Sequence, residues 1–181
     1  GVRRVVRASC RPSASPSSAP SSLAGSGFEA NHPTIISLLY LSSLLFGFTA
    51  IIGVNTLFRA LLDAPGFAGV DLGHLKLAVA GGMAVQRVVA HRWKERAGVP
   101  LVEGYGLTET APVAIANPVT IQEWSGQIGV PLPSTEAAIL DDDGQAVESG
   151  QVGEICLRGP QVMKGYWQRP EETAKVVTGD G

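Results

Sequence analysis

The stretch LKLAVAGGMAVQRVVAHRWKERAGVPLVE, residues 75–103, decides the fold class. It begins with an apolar run, Leu75 to Ala80, and ends with another, Val99 to Glu103, and such runs are typical of buried strands. Between them apolar residues recur at helical spacing, and Gly98 stands where this helix would end. The predicted buried face carries Val85, Val88, Val89, Trp93 and Arg96, opposite Arg87, His91, Lys94 and Glu95. Strand, helix and strand joined by short links predict a parallel sheet covered by helices.

The flanking sequence extends this pattern in both directions. Upstream, we expect a strand over 49–54, an N-cap at Asn55 and a helix over 56–62 that Pro65-Gly66 ends. Its apolar face holds Leu57, Phe58, Leu61 and Leu62. Downstream, turns at 141–144 and 148–150 separate short strands over 137–140 and 153–158, which predicts antiparallel hairpins. The predicted class is α/β, with a parallel sheet and flanking helices over about 47–120 and a smaller antiparallel β subdomain over 121–181.

Residues 1–46 have a different composition. The first 33 are rich in Ser, Pro and Arg, and we expect them to be disordered because they could not bury enough apolar surface. The stretch from Thr34 to Phe58 is uncharged and long enough to span a membrane. Its second half, FTAIIGVN, is β-branched and ends in a helix-start signal, which favours a buried parallel strand instead.

Composition excludes several classes of function. The 181 residues carry a formal charge of -2 without a concentrated basic face, which argues against a nucleic-acid partner. Cys10 and Cys156 are too few and too far apart for a disulfide framework or a zinc site. We therefore expect a cytoplasmic protein, with peripheral contact at the inner face of the membrane as the second expectation.

The motif EGYGLTE, residues 103–109, combines groups that would suit a nucleoside phosphate carrying magnesium. Gly104 and Gly106 let backbone amides approach a ligand, and the ring of Tyr105 could stack on a base. The Thr108 hydroxyl can donate to a phosphate oxygen, and the Glu109 carboxylate is a ligand that Mg²⁺ prefers. Taken alone, the motif also fits a tight turn followed by a short helix that Thr108 caps. Parallel topology would put GGMAV, residues 81–85, on the same rim.

Three longer stretches decide between these interpretations. They are TAIIGVNTLFRALL, LAVAGGMAVQRVVAHRWKERAGVPLVEGYGLTETAPV and GQIGVPLPSTEAAILDDDGQAVESGQVGEICLRGPQVMKGYWQRPEETA. In this order they resemble the AMP-forming acyl-CoA synthetases, especially the bacterial long-chain fatty acid CoA ligases, over residues 47–181. The resemblance implies part of the N-terminal domain of an acyl-adenylate synthetase. Its members activate a fatty acid with ATP and Mg²⁺ to an acyl-adenylate and transfer the acyl group to coenzyme A.

The resemblance also implies residue roles. Tyr105 would stack on adenine, Thr108 would hold phosphate, and Glu109 would bind Mg²⁺. Gly81, Gly82 and Met83 would line the boundary between the adenine and acyl pockets, and the remaining residues of the adenine-side loop would be Glu103, Gly104 and Gly106. Relatives often have glycine at Ala80 and proline at Ala84, so this loop departs slightly from the pattern.

Several parts of the family pattern are absent from the chain. Residues 1–46 lack the Ser/Thr/Gly-rich phosphate loop, and Pro33 to Phe46 do not resemble the family. Thr178-Gly179-Asp180 follows GYWQRPEET too soon to be the ribose motif, so we assign Asp180-Gly181 to an earlier turn. The hinge and the mobile domain with the catalytic lysine are also missing, so we expect a central fragment without fatty-acid-dependent pyrophosphate exchange. The alternatives are a non-catalytic nucleotide-binding or interaction fragment, and a ligase for another carboxylic acid.

Overall fold

The computed structural model describes the backbone of Val5–Ala8, then Ser37, and residues 47–178. The chain separates into two compact units. Among the described residues, the α/β unit comprises 47–105 and 116–130, and the β-rich unit comprises 5–8, 106–115 and 131–178. The chain therefore changes unit more than once after residue 100, whereas the sequence suggested a single boundary near residue 120.

The described residues form nine strands and three α-helices. The strands are β1 Val5–Ala8, β2 Ala50–Gly53, β3 Leu77–Ala80, β4 Leu101–Tyr105, β5 Ile115–Ala116, β6 Val130–Pro131, β7 Glu136–Leu140, β8 Glu154–Arg158 and β9 Val177–Thr178. The helices are α1 Asn55–Asp63, α2 Arg87–Ala97 and α3 Pro170–Val176. Short 3-10 helices cover Pro65–Gly69 and Thr108–Thr110.

The predicted parallel sheet is confirmed. Five strands follow the order β2-β3-β4-β5-β6, with β2 parallel to β3 and β3 parallel to β4. Helices α1 and α2 follow β2 and β3, and Gly98 ends α2 in the left-handed conformation with φ 74°. The carboxyl ends of β2, β3 and β4 consequently lie at one edge of this sheet.

An aromatic cluster forms the centre of the α/β core. Trp93 of α2 is fully buried, and its ring meets Phe58 of α1 edge to face at 4.7 Å between centroids. Phe67 stacks on Trp93 at 5.9 Å between centroids. Leu61, Val89 and Leu101 complete the nearest buried layer. Helical spacing in the sequence therefore identified the two helices and most of their packing residues.

Three details differ from the sequence expectations. Val88 is 60% exposed, because the buried stripe of α2 passes through Val89, Ala90 and Trp93 instead. Ile52 is 75% exposed, although its strand β2 was expected to be buried. Asn55 makes no cap for its own helix, which begins at that residue, and its side chain instead accepts a hydrogen bond from the backbone of Gln86.

The β-rich unit contains the predicted hairpin. Strands β7 and β8 pair antiparallel, and the Asp141 side chain closes the turn after β7 by accepting from the N–H groups of Asp143 and Gln145. The sheet order is β7-β8-β1-β9. Val5–Ala8 is thus a strand, contrary to the disorder expected from composition, because pairing with two distant strands satisfies its backbone groups.

The membrane interpretation concerned Thr34 to Phe58, of which only Ser37 and residues 47–58 are described. That second half forms β2 and the start of α1. Among the described residues, no helix combines the length and apolar character needed to cross a membrane.

Candidate functional site

The predicted site residues divide between the two units. Gly81, Gly82, Met83, Glu103, Gly104 and Tyr105 belong to the α/β unit, and Gly106, Thr108 and Glu109 belong to the β-rich unit. The contacts of each group are described within its own unit below.

In the α/β unit, the two predicted loops meet at the carboxyl ends of β3 and β4. Ala80 pairs with Glu103, so Gly81 continues beside Gly104. A Cβ atom on Gly81 would stand 3.1 Å from the Gly104 carbonyl oxygen, which shows how closely the two backbones approach. Met83 is 50% exposed beyond this contact, and Gly82 adopts φ 76°. The structure thus brings these residues together as topology predicted.

Glu103 lies inside the unit, with 6% of its surface exposed. Its Oε1 accepts from the Val85 N–H at 2.9 Å, and its Oε2 accepts from the Trp124 indole at 2.7 Å. Both carboxylate oxygens are therefore occupied by protein donors. The side chain supports the backbone after Met83.

In the β-rich unit, Gly106 is required by its own loop. A Cβ atom at this position would lie 1.7 Å from the carbonyl oxygen of Pro112 and 2.8 Å from the Cα of Val113. Real Cβ atoms never come so close to backbone, so only glycine fits here. The glycine thus lets the loop fold back on itself, a reason that the sequence motif alone did not reveal.

The turn after Gly106 is held by Thr110, not by Thr108. The Thr110 hydroxyl is fully buried, accepts from the Leu107 N–H at 2.9 Å and lies 3.0 Å from the Leu107 carbonyl oxygen. Leu107 is the residue that precedes the 3-10 helix, and the Thr108 side chain makes no cap there. Thr108 is exposed. The purely structural explanation of Thr108 as a helix cap is therefore wrong, and its hydroxyl is accessible to a ligand.

Glu109 is anchored by the segment that precedes α3. The Tyr166 hydroxyl donates to Glu109 Oε1, and the Met163 N–H donates to the Glu109 carbonyl oxygen at 2.8 Å. Tyr166 is in turn tied to α3, because its N–H donates to Thr173 Oγ1 at 2.9 Å. The backbone and the carboxylate of Glu109 are both oriented by residues more than 50 positions away.

The oxygen ligands at Glu109 suit Mg²⁺ only if substrate phosphates and water supply the other ligands. Within the described ranges, no group of three or more His, Cys, Asp or Glu side chains could enclose a metal. Mg²⁺ is commonly held by one or two carboxylates together with substrate phosphates and water. A single carboxylate with one oxygen bound to Tyr166 and the exposed Thr108 hydroxyl nearby in sequence fit that arrangement.

The hydrogen bond to Glu109 affects the pKa of the Tyr166 hydroxyl. The hydrogen bond to Glu109, with lesser contributions from desolvation and from the negative charge, raises the pKa of Tyr166 above 10.0. The contribution of this contact to stability is present below the ordinary tyrosine pKa and is lost as the pH rises through the raised value. We expect absorbance at 295 nm to show Tyr166 ionising later than a free tyrosine, and Glu109→Ala to lower its pKa. The variant Tyr166→Phe identifies the signal, and an identical curve for Glu109→Ala would show that the contact does not form.

Sequence reasoning missed Tyr166, Thr110, Trp124 and the role of Asn55. Tyr166 lies within the quoted stretch GYWQRPEET, but nothing in its spacing connects it to Glu109. Thr110 was the one detectable case, because a threonine two residues after Thr108 is an equal candidate for the turn. Gly179 and Asp180, which the ribose argument concerned, lie outside the described residues.

A family model described as AMP-binding enzyme matches residues 44–167. Among curated proteins, the chain is 50% identical over 155 residues to the long-chain-fatty-acid–CoA ligase of Escherichia coli O157:H7. That match covers 86% of this chain and 28% of the relative, so the chain spans little more than a quarter of its length. Only 135 residues lie from Gly47 onwards, so the match includes at least 20 residues before it. The resemblance therefore begins earlier than the sequence stretches indicated, and includes the whole of the segment 33–46 that was expected not to match.

Solved structures agree with this family match. The anthranilate CoA ligase AuaEII in complex with anthranoyl-AMP superposes with a TM-score of 0.72 and 28% identity, covering 83% of this chain and 30% of that one. ATP-bound MatB from Rhodopseudomonas palustris superposes with a TM-score of 0.67 and 30% identity, covering 78% and 27%. The described fold is therefore that of part of the N-terminal domain of adenylate-forming enzymes.

Proposed function

Because the chain belongs to the family of AMP-binding enzymes, we propose that it is the central part of a long-chain fatty acid CoA ligase. The observation that carries the proposal is the 50% identity over 155 residues with the Escherichia coli long-chain-fatty-acid–CoA ligase. The proposed activity is that of the whole enzyme, because this chain spans only 28% of that relative.

The proposed reaction has two steps. In the first, the fatty acid carboxylate attacks the α-phosphorus of ATP, forming an acyl-adenylate as the bond to pyrophosphate breaks. In the second, the thiol of coenzyme A loses its proton and attacks the acyl carbonyl carbon, and AMP leaves. Negative charge on the phosphate oxygens is the main barrier to the first step, so positioning and charge neutralisation account for most of the catalysis. Mg²⁺ would supply part of that neutralisation.

In this proposal, different residues of EGYGLTE bind different parts of ATP and its metal ion. Tyr105 stacks on the adenine, and the exposed hydroxyl of Thr108 donates to a phosphate oxygen. Glu109 would hold Mg²⁺, since the Tyr166 hydroxyl is bound to one of its two carboxylate oxygens, and the ion would neutralise phosphate charge there. The turn supports this assignment, because the buried Thr110 hydroxyl closes it and the Thr108 hydroxyl remains exposed for a phosphate.

Gly81, Gly82 and Met83 border the adenine and acyl pockets in the same proposal. Met83 is half exposed at the end of β3, where a ligand of a parallel sheet is expected. Because Gly81 lies so close to the Gly104 carbonyl, little space separates the two loops, and the adenine and acyl parts of the ligand would join at this place.

A transplant tests the proposal. Residues 47–178 of this chain replace the matching stretch of the Escherichia coli ligase, and acyl-CoA formation is measured with ATP, coenzyme A and a graded series of fatty acids. We expect activity with long-chain acids, and a loss of about 100-fold when the transplanted stretch carries Glu109→Gln. The variant Val88→Ala is the matched control, because this exposed side chain lies outside the proposed site. A correctly folded transplant that forms no acyl-CoA would contradict the proposal.

A second candidate is a ligase for another carboxylic acid. It is favoured by the superposition with a ligase that acts on anthranilate, an aromatic acid. The graded series should include benzoate and anthranilate, and a preference for either would select this candidate. Binding of ATP without any acid-dependent product would indicate the non-catalytic alternative instead.

The proposal also covers the acyl acceptor and the cellular location of the protein. Coenzyme A would be the acyl acceptor, and the protein would work in the cytoplasm with peripheral contact at the inner face of the membrane. The long acyl chain supports that contact, because such substrates partition into lipid. Co-sedimentation of the protein with phospholipid vesicles would test it, and full recovery in the supernatant would contradict it.

A further inference from the structure

Two consecutive backbone N–H groups after the loop Gly81–Ala84 are held by side chains from other elements. The Val85 N–H donates to Glu103 Oε1 at 2.9 Å, and the Gln86 N–H donates to Asn55 Oδ1 at 3.0 Å. Asn55 follows β2 and Glu103 lies in β4, so the two strands beside β3 clamp the chain that leaves β3. We call Asn55 and Glu103 the rim clamp.

The two side chains of the rim clamp are buried, so their hydrogen-bond donors come from the protein and not from water. Asn55 and Glu103 are only 4% and 6% exposed. Burying a carboxylate or an amide is costly unless hydrogen bonds replace those to water. Glu103 meets this requirement with two donors, since Trp124 occupies its second oxygen at 2.7 Å. A leucine would fill either position at lower cost if burial alone were needed, so the polar atoms are there for the backbone groups that they bind.

The loop itself has little that would hold its shape. It contains two glycines, one with φ 76°, and its Met83 side chain is half exposed. At its start, the Gly81 N–H donates to the Gly53 carbonyl oxygen at 3.1 Å. The clamp supplies the second attachment, so that Gly82, Met83 and Ala84 form a short span fixed at both ends.

We propose that Asn55 and Glu103 are positioning residues that hold Gly82 and Met83 in place for the acyl-adenylate. The inference rests on the proposed function for the nature of the ligand. The rim clamp does not touch this ligand, because its acceptor atoms are bound to the protein. It acts by removing the freedom that the loop would otherwise lose on binding, and preorganisation of this kind increases affinity.

Hydrogen exchange and ligand binding in the 181-residue chain test the inference together. Glu103→Leu is expected to speed exchange of the Val85 N–H, and Asn55→Ala that of the Gln86 N–H, each by about tenfold or more. Each variant is also expected to weaken binding of a non-hydrolysable acyl-adenylate mimic by about tenfold, measured by calorimetry.

Asn55→Asp is the conservative rescue. It keeps an acceptor oxygen for the Gln86 N–H, and a negative charge at the start of α1 is favourable. We expect it to restore both slow exchange and affinity. Trp124→Phe removes the donor to the second oxygen of Glu103 but keeps an aromatic ring, so it should leave exchange of the Val85 N–H within about threefold of the unaltered chain.

The pattern of exchange separates positioning from general stability. A merely structural role would speed exchange equally at Val89 and Trp93 within α2, whereas positioning confines the change to Val85 and Gln86. Variants that bind the mimic as tightly as the unaltered chain would overturn the inference, as would unchanged exchange at these two amides. If the unaltered chain binds no mimic, the positioning role for that ligand fails, whereas the proposed function is tested separately by acyl-CoA formation in the transplant.

Discussion

Replacing Trp93 with alanine is expected to lower the free energy of unfolding of the α/β unit by about 3–5 kcal/mol. The indole is fully buried and contacts Phe58 at 4.7 Å and Phe67 at 5.9 Å between ring centroids. Its removal would leave a cavity bordered by these two aromatic rings. Urea denaturation followed by far-ultraviolet circular dichroism would measure the change.

Two control variants isolate the cause of this loss. Val88→Ala changes an exposed side chain of the same helix, and it should alter the free energy of unfolding by less than about 0.5 kcal/mol. Trp93→Phe keeps a ring and removes an indole N–H that finds no acceptor among the described residues, so its cost should be well below that of alanine. Equal destabilisation by Trp93→Ala and Val88→Ala would contradict the described packing of α2.

Replacing Gly106 with alanine is expected to displace the backbone in the middle of EGYGLTE and to weaken ligand binding there. The added Cβ would lie 1.7 Å from the Pro112 carbonyl oxygen, so the backbone must move by more than an ångström to accept it. Tyr105 and Thr108 flank this position and would move with it. We expect binding of the acyl-adenylate mimic to weaken about 100-fold and the β-rich unit to lose about 1–3 kcal/mol of stability.

Gly150→Ala is the matched control for this substitution. Gly150 has φ 92°, but nothing lies within 4 Å of a Cβ there, so the change introduces backbone strain without a collision. It should reduce stability by about 1 kcal/mol or more and leave binding of the mimic unchanged. If Gly106→Ala bound the mimic normally, the loop would not fold back on Pro112 as described.

The position of the two candidate loops was predicted from the sequence, and the contacts that support them were not. The motif EGYGLTE and the loop at residues 81–85 were placed on one rim by the topology of parallel strands alone. The support of these loops was not predictable, since Tyr166 is 57 residues from Glu109 and Trp124 is 21 residues from Glu103. No local pattern connects residues at such separations.

The sequence by itself determined the order of strands and helices, the Asp141 turn and the family, because apolar periodicity, turn residues and motifs are properties of neighbouring residues. Only the tertiary structure decided that Asn55 holds Gln86 and not its own helix, that Thr110 and not Thr108 closes its turn, and that Val5–Ala8 is a strand. In each case more than one residue type or segment of the chain could supply a hydrogen-bonding partner. Packing selects among them, because burial makes one partner available and removes water as the alternative.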